Sequence, residues 1–272
     1  MKQSKRALNS KISALFGKFA NKPFPKSIQS LINNIYVKGL GLDMSEFEAP
    51  SSYPTLNKLF TRQLKTPRRF DITDRNFISP CDSFVTECGK IEDGISYQIK
   101  GMSYHIEELL QTEENELEKL LNGDFINFYL SPKDYHRYHS PYDFEVLELH
   151  HIPGKLYPVN NRLLTSKLNL FIENERVVLK CKTNDDKLFF MVFVGALNVG
   201  KMKFTFDDSI ETNVSLEQKR YNYENLFIKK GDCIGQFEMG STILIFFEEN
   251  FVNIADIKNK KVKFTDLIAN VN

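Results

Sequence analysis

The chain has 272 residues, 42% of them hydrophobic, and a formal net charge of +1, so it is long enough for one large domain or two small ones and apolar enough to bury a core. The near-neutral balance excludes a nucleic-acid binder acting through bulk charge. Its four cysteines (Cys81, Cys88, Cys181, Cys233) form no CxxC pair, which argues against a disulfide framework or zinc ribbon and fits a reducing cytoplasm, and no apolar run approaches the roughly 20 residues that span a bilayer.

Charge is unevenly placed. Met1 to Leu42 holds eight Lys/Arg and no acid, the first acid being Asp43. Leu8, Ile12, Leu15, Phe16 and Phe19 recur at helical spacing until Pro23 and Pro25 break the pattern. Ile28, Leu31, Ile32 and Ile35 form a second stripe that ends near Gly39 and Gly41. Two basic amphipathic helices suit an anionic membrane surface, although the same stripes could pack on the body behind them. A short helix is expected over Tyr53 to Leu64. After Pro67 the pattern turns to short strands: Phe84 to Lys90, Ser96 to Lys100, Asp124 to Leu130, Val146 to His151, Val177 to Lys182, Lys187 to Val194, Lys201 to Phe206 and Ser241 to Phe247. Gly94, Gly123 and Lys230-Gly231-Asp232 read as turns, and Glu107 to Leu121 as the one internal helix. The expected class is α+β, with an N-terminal helical region (1–66) and a β-rich body of mainly antiparallel strands (67–272).

Three segments carry chemistry. Gly240-Ser241-Thr242 lies in strand-like sequence. Attack of the Ser241 hydroxyl on the Gly240 carbonyl turns the peptide into an ester. Elimination across the serine then leaves dehydroalanine, which hydrolyses to a pyruvoyl group on a new N-terminus. The hydroxyl needs a base, and the base an orienting group. His139, in Asp134-Tyr135-His136-Arg137-Tyr138-His139, is the candidate base, and Asp82, in Ser79-Pro80-Cys81-Asp82-Ser83, the candidate orienter. His136 and His139 would share a face on a helix or flank one pocket on a turn; as a zinc pair they lack further ligands, and no metal site is expected. Each segment alone reads more readily as an ordinary turn.

In order, these segments resemble the bacterial phosphatidylserine decarboxylases, and the likeness extends over nearly the whole chain. It is carried by Asp134 to His139, Pro153-Gly154-Lys155-Leu156-Tyr157-Pro158-Val159-Asn160, Asn174-Glu175-Arg176, Val194-Gly195-Ala196 with Val199-Gly200, Lys100-Gly101, and Gly235-Gln236-Phe237-Glu238-Met239-Gly240-Ser241-Thr242. One departure is Cys81-Asp82-Ser83 where the family usually has Ala-Asp-Gly. The resemblance implies a self-cleavage triad of Asp82, His139 and Ser241. Cutting at Gly240-Ser241 would give a large chain (1–240) and a small chain (241–272) headed by a covalent pyruvoyl cofactor derived from Ser241. It further implies that the pyruvoyl carbonyl forms a Schiff base with the serine amine of phosphatidylserine, yielding phosphatidylethanolamine and carbon dioxide, with His136 as proton donor or substrate-orienting group. Peripheral attachment to the cytoplasmic side of the cell membrane is expected, with no nucleic-acid partner, and a dimer of the two-chain unit is compatible with the family. The rival readings are a non-catalytic peripheral membrane protein indifferent to Ser241, a pyruvoyl enzyme acting on a soluble amine, and a hydrolase, for which a Gly-x-Ser-x-Gly elbow is missing.

Overall fold

A computed structural model describes residues 17–99, 102–159, 169–196, 201–213, 217–238 and 241–272. Most of the first predicted helix lies outside these residues; 17–21 are helical. Helix α1 spans Lys26–Leu40 and α2 Leu56–Phe60. Strands β1 (Asn76–Ile78), β2 (Ser83–Lys90), β3 (Ile95–Ile99) and β4 (Met102–His105) lead to α3 (Ile106–Leu110) and α4 (Glu114–Leu120). Then come β5 (Asp124–Leu130), β6 (Arg137–His139) and β7 (Phe144–Ile152), helix α5 (Leu170–Glu173), β8 (Arg176–Lys182), β9 (Leu188–Val194) and β10 (Met202–Phe204). The chain ends through β11 (Lys219–Ile228), β12 (Cys233–Phe237), β13 (Ser241–Phe247), β14 (Val252–Ile254), β15 (Lys261–Val262) and β16 (Leu267–Val271).

The expected α+β class holds, with helices first and a body of antiparallel sheets. An eight-stranded sheet in the order β11-β7-β8-β9-β13-β5-β2-β15 forms the centre. Its middle strands are buried on both faces. Ile243, Ile245 and Phe247 of β13 join one cluster with Phe189, Met191 and Phe193 of β9. The intervening Leu244 and Phe246 join Phe190, Val192 and Val194 on the other side, beneath Leu109, Leu110 and Leu120 of α3 and α4. This explains the unbroken apolar runs, since a strand covered on both faces shows no alternation. Two three-stranded sheets, β1-β16-β14 and β10-β12-β6, and the two-stranded β3-β4 sheet complete the described body.

Two expectations need correction. The single helix over Glu107 to Leu121 is two helices. Gln111 takes a left-handed conformation (φ 48°) that stops α3, and the Thr112 hydroxyl bonds Glu116 at the start of α4. The stripe on α1 also splits. Ile32 packs inward with Ala20, Leu56 and Leu59, while Ile28, Leu31 and Ile35 stay exposed (48%, 61% and 62%). The inner face of α1 is instead partly polar: Gln29 donates to Asn33 (2.8 Å), and Asn33 donates to the carbonyls of Pro50 (2.8 Å) and Tyr53 (3.0 Å).

Candidate active site

Two strand pairings place the critical segments side by side. In one small sheet β12 runs antiparallel to β6, with Gln236 opposite Arg137. In the central sheet β13 runs antiparallel to β5, with Ser241 opposite Leu130. Both runs therefore leave one sheet and enter the other together. The link from Phe237 to Ser241 is matched by residues 131–136, and the Phe237 N–H donates to the His136 carbonyl (2.9 Å). Ser241 is the first residue of β13; its side chain and residues 239–240 lie outside the described part.

Because His139 ends a strand, it does not share a face with His136. The His139 ring stacks on Phe264, centroids 3.7 Å apart, and its neighbours line a cavity of about 260 Å³ with Arg68, Tyr135, Arg137 and Gly231. Its Nδ1 lies 3.0 Å from the Gly231 carbonyl and its Nε2 3.0 Å from the Tyr135 hydroxyl. A carbonyl only accepts, so the proton is assigned to Nδ1, and Nε2 keeps its lone pair and accepts from the phenol. Burial pushes the imidazole down to about 4, so it is neutral near pH 7.

Asp82 does not reach this ring among the described hydrogen bonds. Its carboxylate is gripped by Arg68 (2.5 and 2.9 Å), which also grips Glu46 (2.8 and 2.9 Å). Asp82 further accepts the Phe264 N–H (2.8 Å). One residue thus joins the pair, since Phe264 hangs from Asp82 by its backbone and covers His139 with its ring. Ser83, where the family usually has glycine, begins β2 opposite Val262 and has no positive φ, so the local backbone asks nothing of glycine here.

His136 is fully buried. Its Nδ1 donates to the Asp134 carbonyl (2.8 Å) and its ring lies 3.9 Å from that of Phe60. Burial, reinforced by Arg62, pushes it down to about 3. Its Nε2 has no partner, which is costly for a buried nitrogen and marks an atom able to receive a hydrogen bond.

Gly231, read from sequence only as a turn, belongs to the site. Its φ of +86° turns its carbonyl onto His139, and a Cβ there would meet the Phe70 ring. Gly231→Ala is expected to slow self-cleavage at least tenfold while lowering stability by about 1 kcal/mol or more, the cost of a non-glycine residue in this region. Cleavage at the normal rate in that variant would show that the carbonyl does not set the imidazole.

A family profile described as phosphatidylserine decarboxylase matches residues 56–270. The chain is similar to the phosphatidylserine decarboxylase proenzymes of Campylobacter jejuni (46% identity over 263 residues, 94% of this chain and 97% of the relative) and Helicobacter pylori strain Shi470 (46% over 265 residues, 96% and 97%). That of Legionella pneumophila strain Lens is more distant (36% over 240 residues, 87% and 84%).

Proposed function

The chain belongs to the phosphatidylserine decarboxylase family, and from that premise we propose that it cuts itself between Gly240 and Ser241, using His139 as base, to become a membrane-bound two-chain enzyme. It is a carboxy-lyase made as a proenzyme, and it forms phosphatidylethanolamine and carbon dioxide from phosphatidylserine. The observation that carries the proposed cleavage site is the place of Ser241 at the head of β13, beside the segment that bears both histidines.

The residues present fit a pyruvoyl group at that position. Strand β13 is paired with β5 on one side and β9 on the other, so residues 241–272 stay anchored after a cut. Strands β15 and β16 add pairings to β2 and β1. The pyruvoyl carbonyl supplies an electron sink for loss of carbon dioxide, as pyridoxal phosphate does elsewhere. His139 Nε2 takes the Ser241 hydroxyl proton, after exchanging its bond to Tyr135. Asp82 positions the base through Phe264 and adds a negative charge that favours the imidazolium formed as the proton arrives. His136, with its unpaired Nε2, orients the headgroup or passes a proton to the carbon that loses its carboxylate. The test is carbon dioxide release from phosphatidylserine. His136→Ala is expected to cleave into two chains yet release it at least a hundredfold more slowly. Full-rate release by that variant removes His136 from the reaction, and no release by the native two-chain protein overturns the whole reading.

In this reading residues 1–66 are the membrane-associating region and 67–272 form the catalytic body. No helix among the described residues is long and apolar enough to cross a membrane. Support for peripheral attachment comes from α1, which turns Gln29 and Asn33 toward the body and Ile28, Leu31 and Ile35 outward. Burying two such side chains contributes about 1.5–3 kcal/mol each. Leu31→Asp with Ile35→Asp is therefore expected to lower partitioning onto anionic vesicles more than tenfold, read by flotation, without blocking self-cleavage. Unchanged flotation would remove α1 from the membrane contact.

A further inference from the structure

A second cavity, of about 430 Å³, lies between the end of α1 and the start of β2, lined among others by Gly41, Phe47, Arg62, Ser83, Lys133 and Lys261. Arg62 is only 2% exposed. Its Nη2 donates to the carbonyls of Lys133 (3.0 Å) and Asp134 (3.3 Å), and its guanidinium lies 4.4 Å from the centre of the Phe47 ring. Its Nε and Nη1 have no hydrogen-bond partner. A buried donor left unsatisfied costs about 1–3 kcal/mol, more when charged, so two N–H groups of a rigid fork still lack an acceptor.

The rest of the cavity adds, among the described residues, two lysines outside any ion pair. Lys133 and Lys261 are exposed and have no ion-pair partner among the described residues. The carboxylates around them are already engaged. Asp82 and Glu46 are held by Arg68, Glu46 also by Lys263 (3.2 Å), Asp134 by the Ser131 N–H and hydroxyl (both 2.7 Å), and Asp43 by the Ser45 N–H (2.9 Å). The cavity also has direction. Lys133, Asp134 and Lys261 line a smaller pocket with Tyr129, whose strand partner is Thr242, next to Ser241. At its other end Gly41 follows Leu40, which is 41% exposed. The two cavities share Ser83, Lys133, Asp134 and Lys261, and together they reach from the C-terminal end of α1 to Tyr129, the strand partner of Thr242.

We infer that Arg62, Lys133 and Lys261 seat the phosphate diester of the lipid headgroup, the acyl chains leaving past Gly41 along α1 and the serine end reaching toward Ser241. The inference rests on the decarboxylase reading above, and its test keeps the two apart. Lys133→Gln with Lys261→Gln, both at exposed positions, is compared with the native protein after cleavage into two chains has been verified in each. Activity is followed on phosphatidylserine in micelles of an uncharged detergent. Glycerophosphoserine, the headgroup without acyl chains, and inorganic phosphate are titrated as inhibitors. The expected result is competitive inhibition by glycerophosphoserine, weaker competition by phosphate, and a rise of about tenfold or more in KM and in the glycerophosphoserine Ki of the double variant. Arg62→Lys, which keeps the charge but loses the fork, is expected to raise the same Ki with its melting temperature checked alongside. Unchanged KM and Ki in a cleaved, active double variant overturn the inference and leave the decarboxylase standing. Inhibition by phosphate that does not compete with lipid assigns the cavity to free phosphate instead, and likewise overturns it. A native two-chain protein that releases no carbon dioxide overturns the decarboxylase reading, and this inference with it.

Discussion

A Ser241→Ala chain is expected to stay whole at about 31.6 kDa, while the native chain separates on a denaturing gel into residues 1–240 and 241–272. The hydroxyl is both attacking atom and source of the new terminal group, so its removal leaves neither a route to the ester nor anything to eliminate. The effect is all-or-none: no cleavage, no pyruvoyl group and no carbon dioxide release. Folding should survive. Ser241 is the end residue of β13 and contributes its backbone to the pairing with Leu130, a role alanine keeps. The buried stretch from Thr242 to Phe247 is untouched. Intact mass settles the matter, because the native small chain must begin with a blocked, pyruvoyl terminus. Cleavage of the alanine variant at the same bond would remove Ser241 as the nucleophile.

Much of this fold is legible in the sequence because the strands are strongly apolar. Strands β5 (Asp124–Leu130) and β13 (Ser241–Phe247) have the predicted bounds, and β8 and β9 lie close to theirs. What the sequence conceals is of two kinds. Short or polar strands such as β6 (Arg137–His139) and β12 (Cys233–Phe237) carry little periodicity, yet their pairing brings the histidine segment to Ser241. The second kind is distant partnership. Asp82 and His139 are identifiable as a pair by resemblance, but that a phenylalanine at position 264 couples them and that the Gly231 carbonyl takes the imidazole N–H are facts of the folded chain. Arg62 likewise gives no signal in the sequence. Its two unsatisfied nitrogens become evident only once the loop around Lys133 has closed over it.

His139→Ala is expected to cut self-cleavage by at least about a hundredfold, the ordinary contribution of a positioned base, and the pH dependence of the native reaction identifies that base further. Burial pushes His139 down to about 4, so its lone pair is available well below neutral pH. The cleavage rate should therefore stay flat from pH 8 to about 5 and fall only as pH approaches 4. An exposed histidine would begin to fail near 6.5. Stability runs the other way over the same window. The folded values of His136 (about 3), His139 (about 4) and His150 (about 4) all lie below the unfolded one. As pH falls below 6.5 the unfolded chain takes up protons that the folded chain refuses, so the stability these neutral histidines supply above 6.5 is lost as pH falls toward the folded values. At one proton each, the slope is at most about 4 kcal/mol per pH unit. The melting temperature should thus drop between pH 6.5 and 4.5 while cleavage by the still-folded fraction, followed by circular dichroism and gel on the same samples, keeps its rate. A cleavage rate that halves near pH 6.5 at constant fold would mean that the base is a solvent-exposed group rather than His139. A melting temperature indifferent to pH across that interval would mean that the three imidazoles are not buried in the neutral form.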